Sequence, residues 1–128
     1  MKKLLVISLF LFILVGLFGC GQSYVMAASS TEVNANFNHY KFGAFKGVYT
    51  FKKTFSEDTT IRVVTYTELE DTMLITIKKD DEVVKEMEVN KSTNGTYYID
   101  LEKGNYSFVL SSDITFKAEL LFNWKYDK

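Results

Sequence analysis

The sequence predicts an all-β protein: an antiparallel β-sandwich of about seven strands that follows an N-terminal apolar segment and a flexible tether. Three observations favour this fold class. Apolar and polar side chains alternate with a period of two over most of residues 48–124, as in strands with one buried face. Short polar segments separate the alternating stretches. The chain also contains 11 Phe, 8 Tyr and 1 Trp, enough to fill the space between two sheets.

The alternating stretches give the expected strands in order. They cover residues 48–55, 61–69, 72–79, 82–89, 96–101, 105–111 and 114–124. The last stretch places Ile114, Phe116, Ala118, Leu120, Phe122 and Trp124 on one face. A straight strand of that length would span about 36 Å at ~3.3 Å per residue, so we expect a bend or bulge. The predicted core comprises Phe51, Val63, Ile75, Ile99, Tyr106, Phe108, Phe116, Leu120 and Phe122, with Trp124 only partly covered.

The first residues have the plan of a secretory signal peptide. Lys2 and Lys3 precede residues 4–18, which are apolar except for Ser8 and Gly16. A permanent transmembrane anchor usually needs about 20 apolar residues, so we expect this segment to be removed.

Two cleavage sites compete at the end of this segment. Leu17, Gly19 and Cys20 resemble the bacterial lipobox, which implies a diacylglycerol on Cys20 and a signal peptide over residues 1–19. A lone cysteine in a secreted chain cannot form an internal disulfide, which agrees with modification of Cys20. The alternative is an ordinary signal peptidase site at residues 25–27, which would make the protein simply secreted. The lipobox reading predicts a protein anchored on the extracytoplasmic face of the bacterial membrane.

Residues 20–36 have the composition of a tether between this anchor and a domain over residues 37–128. Small and polar residues dominate the segment. A flexible chain of this length would span on the order of 20–25 Å.

An aromatic segment opens the domain and fits neither a regular strand nor a helix. Phe37, Tyr40, Phe42 and Phe45 carry its rings. Three interpretations remain open: an extra strand or cap that packs its rings on the sandwich, a binding patch for a partner protein or a glycan, and a surface at the membrane interface.

Residues Leu101, Gly104, Tyr106 and Phe108 form the pattern L-x-x-G-x-Y-x-hydrophobic. The pattern resembles the strand-turn-strand of bacterial pre-peptidase C-terminal domains, which are jelly-roll-like modules. The resemblance implies a tight turn at Gly104 and a tyrosine at position 106 that re-enters the core.

The sequence offers little for catalysis or metal binding. His39 is the only histidine and Cys20 the only cysteine. One residue of each type is too few for a zinc site, and a nucleophile–histidine site would depend on His39 alone. The carboxylates cluster on predicted turns and solvent faces. Without Lys2 and Lys3, the 15 basic side chains fall to 13 against 16 acidic ones, a net charge of −3 that is unlike a nucleic-acid-binding protein.

The sequence therefore predicts a non-enzymatic binding or structural module, held at the membrane through Cys20, with no cofactor and no metal. Its partner would be a surface protein or a glycan. The alternative function is an immunity or inhibitor lipoprotein that intercepts a secreted toxin or enzyme at the cell surface. An enzyme is the third hypothesis, and it would have to use His39 or a pair of carboxylates.

Overall fold

The computed structural model describes residues 23–27 and 29–125. Within these residues the protein is all-β, with every strand pairing antiparallel and one 3₁₀ turn at Lys91–Thr93. The predicted fold class is confirmed. The strands are β1 (Ser23–Ala27), β2 (Ser30–Val33), β3 (Phe37–Phe55), β4 (Thr59–Tyr66), β5 (Met73–Lys79), β6 (Glu82–Val89), β7 (Gly95–Leu101) and β8 (Gly104–Asn123).

Two long strands, β3 and β8, belong to both layers of the sandwich. They pair along their whole length, from Phe37 opposite Asn123 to Phe55 opposite Gly104. In the first sheet, the second half of β3 lies beside the first half of β8, and β5 and β6 follow. In the second sheet, the first half of β3 lies beside the second half of β8, and β4 and β7 follow. The short strands β1 and β2 pair with the free edge of β3.

Bulges mark the place where the long strands pass from one sheet to the other. From Phe42 to Phe45, β3 advances three residues while β8 advances two. From Phe45 to Gly47, β3 advances two residues while β8 advances four, from Phe116 to Ser112. The buried Ser112 hydroxyl donates a 2.6 Å hydrogen bond to the Ile114 carbonyl within this bulge. Extra residues of this kind bend a strand and increase its twist, which lets one pair of strands serve two sheets.

The core between the sheets is filled by aromatic rings from both layers. Phe51 and Phe108 stack in the first sheet with centroids 4.9 Å apart. Phe122 of the second sheet meets these rings edge-on, at 5.2 Å from Phe51 and 5.6 Å from Phe108. All nine predicted core residues are buried. Trp124 is buried as well, rather than partly covered as expected, because it packs on Phe108 at 5.5 Å.

The structure differs from the sequence prediction in how the strands are divided and where they begin and end. The stretches 105–111 and 114–124 are one strand, and so are residues 37–46 and 48–55. Ile114 is exposed instead of buried, because it lies in the bulge, where the alternation of faces is interrupted. Within the segment expected to be a tether, residues 23–27 and 30–33 form strands β1 and β2. The expected signal peptide over residues 1–19 and Cys20 lie outside the described residues.

The turn before β8 depends on Gly104, whose φ is +148°. A Cβ atom there would lie 2.7 Å from Cε of Lys79. Two residues later, the Tyr106 hydroxyl donates a 2.5 Å hydrogen bond back to the Glu102 carbonyl, while its ring is buried. Burial raises the pKa of the Tyr106 phenol, which favours the protonated form that donates this bond.

We expect Gly104→Val to lower the free energy of unfolding by about 1–3 kcal/mol, because a side chain strains a backbone with positive φ. Urea denaturation would measure the change. Gly95→Val is the comparison that isolates the contact with Lys79: Gly95 shares the positive φ, at +157°, but has nothing within 4 Å of its Cβ position, so we expect a smaller loss there. An unchanged unfolding midpoint for Gly104→Val would contradict the assignment of strain to this turn.

Candidate functional site

An open cleft of about 410 Å³ lies where β4 ends and where β3 and β8 approach their bulges. Three segments line it: residues 41–43 of β3, residues 66–69 at and after the end of β4, and residues 117–119 of β8. We call it the Tyr66 cleft. Its volume is within the range of small-ligand sites, which are concave and combine apolar surface with a few polar groups.

Tyr66 is the exposed aromatic residue of the cleft, with 53% of its surface accessible. Its hydroxyl lies 3.2 Å from Oε1 of Glu68 and donates to it. The charge of the Glu68 carboxylate, and then this hydrogen bond, raise the pKa of the Tyr66 phenol. The phenol is therefore neutral at physiological pH, and the ring presents an apolar face to solvent. Phe42, Leu69 and Ala118 add apolar atoms to the lining.

Charged side chains of both signs surround this apolar surface. Lys41 Nζ lies 3.9 Å from Oε2 of Glu119, and His39 Nε2 lies 3.7 Å from Oε1 of the same carboxylate. Lys117 and Glu68 complete the charged lining. Two lysines and two glutamates balance each other, so the cleft carries no net charge from its lining and offers both donors and acceptors.

Thr67 fixes the wall that carries Tyr66. Its side chain is buried, and its hydroxyl donates a 2.7 Å hydrogen bond to the Lys117 carbonyl while accepting one of 3.1 Å from the Leu69 amide. Asn94 pairs with the Thr67 backbone through two hydrogen bonds of 2.9 Å. This segment is therefore tied to β8 and to the loop before β7, and the cleft is formed before any ligand arrives.

The structure places the residues of the aromatic segment mainly in the core. Tyr40, Phe42 and Phe45 are almost fully buried in β3, and Phe37 is half-buried at the start of this strand. Asn38 donates a 3.1 Å hydrogen bond to the Tyr40 hydroxyl, and burial raises the pKa of the Tyr40 phenol well above its ordinary value. The aromatic segment is the first part of strand β3, which agrees with the interpretation of it as an extra strand that packs its rings on the sandwich. As a correction, the binding-patch and membrane-interface interpretations do not suit its three buried rings.

The sequence alone did not indicate that one site contains Tyr66, Glu68, Lys117 and Glu119. One signal was available in the sequence, since Tyr66 is an aromatic residue that shares the polar face of its predicted strand with Arg62 and Glu68. The proximity of the three segments was not visible, because they are separated by long stretches of sequence. Cys20 lies outside the described residues.

Among the residues that the structure describes, no group of three or more His, Cys, Asp or Glu side chains is placed to hold a metal ion. In the part of the chain from residue 23 to residue 125, leaving out residue 28, no helix is long and apolar enough to cross a membrane.

No protein-family model matches the chain, and no curated protein matches it in sequence. Solved structures of similar shape include a cycloisomaltooligosaccharide glucanotransferase from Paenibacillus sp., at 15% identity and a TM-score of 0.44. The match covers 80% of this chain and 18% of the glucanotransferase, so the chain spans less than a fifth of that enzyme.

Two smaller proteins are similar over most of their length. A family 6 carbohydrate-binding module matches at 14% identity with a TM-score of 0.43, over 83% of this chain and 88% of the module. A family 35 carbohydrate-binding module from Clostridium thermocellum matches at 11% identity with a TM-score of 0.40, over 78% of this chain and 92% of the module. At these values the likeness assigns neither a ligand nor an activity to this chain.

We expect Thr67→Val to destabilise the protein by about 1–3 kcal/mol, because a valine of similar shape leaves the part-buried Leu69 amide and Lys117 carbonyl without the Thr67 hydroxyl. Chemical denaturation gives the free energy, and hydrogen exchange of the Leu69 amide reports the local effect. Thr96→Val, at an exposed position of β7, is the control. Equal effects of the two substitutions would contradict the bracing role of Thr67.

Proposed function

We propose that this protein is a lipid-anchored, extracytoplasmic binding module that takes a neutral, polyhydroxylated ligand, such as a short glycan, in the Tyr66 cleft without transforming it. The observation that carries the proposal is the cleft itself: an exposed tyrosine on a braced wall, above apolar atoms and between balanced charges.

The chemistry of the cleft favours a sugar over an ion or a purely apolar ligand. A tyrosine ring provides a flat apolar surface with a polar tip, which matches a sugar ring with its C–H face and hydroxyl groups. An anionic ligand would meet Glu68 and Glu119, and a cationic one would meet Lys41 and Lys117. A neutral ligand with many hydroxyl groups uses both kinds of side chain and is repelled by neither.

The geometry of the cleft supports binding more than catalysis. The two carboxylates are already engaged: Glu68 accepts from the Tyr66 hydroxyl, and Glu119 lies between Lys41 and His39. Catalysis by a carboxylate pair would need one group held as an acid and the other as a base or nucleophile on opposite sides of a substrate. The carboxylates of Glu68 and Glu119 instead lie beside an open surface, each in contact with side chains of the protein.

Strand β1 supports cleavage before Cys20 over cleavage after Ala27. The strand pairs with β3 through residues Ser23–Ala27, and Met26 packs against the core. The Tyr24 ring lies 5.1 Å from that of Tyr49. A cut after Ala27 would remove the entire strand and uncover this edge of β3. A cut before Cys20 would keep the strand and leave the lipobox-like cysteine as the first residue.

We expect Tyr66→Ala to weaken glycan binding about tenfold, equivalent to 1.4 kcal/mol, because the aromatic platform is lost. The measurement is retention on immobilised cellulose, xylan, starch and purified bacterial cell wall, followed by calorimetry with fragments of whichever material retains the protein. Tyr98→Ala is the matched control, since Tyr98 is a comparably exposed tyrosine, at 63%, on β7 outside the cleft.

Two results would contradict the assignment of the cleft. One is the absence of retention on all four materials. The other is an equal loss of binding in Tyr66→Ala and Tyr98→Ala, which would place the contact elsewhere on the surface.

We expect Cys20→Ser to abolish membrane anchoring and leave the sandwich folded, because lipid transfer needs a sulfur nucleophile and the described fold begins after this residue. Labelling of cells with a lipid precursor, followed by detergent phase separation, would measure both anchoring and modification. A wild-type mature chain that begins at Ala28 and enters the aqueous phase would contradict the anchoring.

A further inference from the structure

The sandwich has four edge strands, and β1 differs from the other three in its chemistry. Within the described residues, β1 and β2 pair only with β3, β6 pairs only with β5, and β7 pairs only with β4. Edge strands expose unpaired amide and carbonyl groups, and charged side chains, prolines or bulges keep such edges from pairing with another chain. Strand β2 contains Glu32, β7 contains Asp100, and β6 contains four charged side chains and a bulge. Strand β1, with the sequence SYVMA, has none of these features.

Apolar side chains lie on both faces of this uncharged edge. Val25 is 66% exposed, the largest value among the large apolar side chains of the described residues, and Tyr24 is 43% exposed. The two residues are adjacent in a strand, so their side chains point to opposite faces. Met26 shares the face of Tyr24 and is half-buried against the core. A strand that pairs with β1 therefore covers apolar groups on both of its faces.

We propose that β1 pairs with β1 of a second copy of this chain, in an antiparallel pair related by a two-fold axis beside Val25. The inference rests on the proposed cleavage before Cys20, since a cut after Ala27 removes the strand. The axis places Val25 opposite Val25 of the second copy, and Tyr24 opposite Met26 of the second copy. Apolar cross-strand pairs stabilise neighbouring strands, and a thioether beside an aromatic ring is a favourable contact. The sequence of β1 is therefore complementary to itself.

The charges nearest to this edge do not oppose the pairing. Val25 is opposite Lys46 of β3, whose side chain is exposed. In the dimer, two β1 strands separate Lys46 from Lys46 of the second copy, so these residues are three strand spacings apart, or about 14 Å. Exposed charges at that distance are largely screened at physiological salt. A charged segment of another protein finds no opposite charge on β1, which favours an uncharged strand such as β1 itself.

The dimer has a consequence for the proposed binding module. Strand β1 contributes no residue to the Tyr66 cleft, so the assembly carries two such clefts. Two sites on one assembly raise the apparent affinity for a polymeric glycan that reaches both of them.

The test uses the full-length chain, expressed in a bacterium that exports it, with the single substitutions Val25→Cys and Val83→Cys. In the antiparallel pair, the Cα atoms of the two residues at position 25 lie about 4.5–5.5 Å apart, a distance that a disulfide bridges. We expect a mild oxidant to shift Val25→Cys to a disulfide-linked dimer on non-reducing gels. Val83→Cys is the matched control and should stay monomeric, because Val83 is a valine on edge strand β6 with 53% exposure. The wild type, run in parallel, reports any disulfide formed through Cys20.

A second pair of variants tests the register. Chains with Tyr24→Cys and chains with Met26→Cys, carrying tags of different size, are expressed together. Positions 24 and 26 face each other across the axis, whereas two copies of position 24 are offset by two residues and lie about 8 Å apart, too far for a disulfide. We expect the mixed dimer and neither homodimer. Equal yields of the three combinations would overturn this register.

Mass spectrometry of the mature chain separates the pairing from the proposed function. Equal cross-linking of Val25→Cys and Val83→Cys, or only monomer for both, in a chain that retains β1 would overturn the pairing and leave glycan binding and anchoring intact. A mature chain that begins at Ala28 would lack β1 and would overturn both the pairing and the anchoring. A disulfide-linked product of Val25→Cys with a mass other than twice that of the chain would indicate a different partner and overturn the self-pairing.

Discussion

The pairing of β3 with β8 is the constraint on which the rest of the structure depends. These two strands form the centre of both sheets, and all other strands except β6 and β7 pair directly with one of them. A straight pair of this length could form only one layer. The bulges let it bend, so that Phe51 and Phe108 of one layer face Phe122 of the other. The core, the cleft at the bend and the edge that receives β1 all follow from this arrangement.

The sequence predicted the fold class and the core well, because a strand with one buried face imposes a period of two on its side chains. The same reasoning failed where the period breaks. Tyr40 and Phe42 are two residues apart, but Phe45 follows after three, and a bulge lies between Phe42 and Phe45. The spacing that fitted neither a strand nor a helix is therefore the mark of a strand with one extra residue. Ile114 was assigned to the wrong face for a similar reason.

Strands β1 and β2 and the cleft could not be predicted in the same way. The two short strands are largely exposed, so they carry no apolar period, and their place is set by the unpaired edge of β3. The cleft joins residues from β3, from the segment after β4 and from β8. Only the tertiary register, which brings Glu119 opposite both Lys41 and Tyr66, places these side chains together.

The pairing of Phe37 with Asn123 also determines when the domain can fold. Nearly the whole domain lies between these two residues, so the pairing of β3 with β8 requires closure of a very long loop. The entropy cost of this closure precedes most of the stabilising contacts, which slows folding. Neither sheet has its centre until the last strand is available. No stable layer therefore forms while the C-terminal strand is still being synthesised. The pairing that completes the sandwich thus makes the last strand of the domain the one that starts its folding.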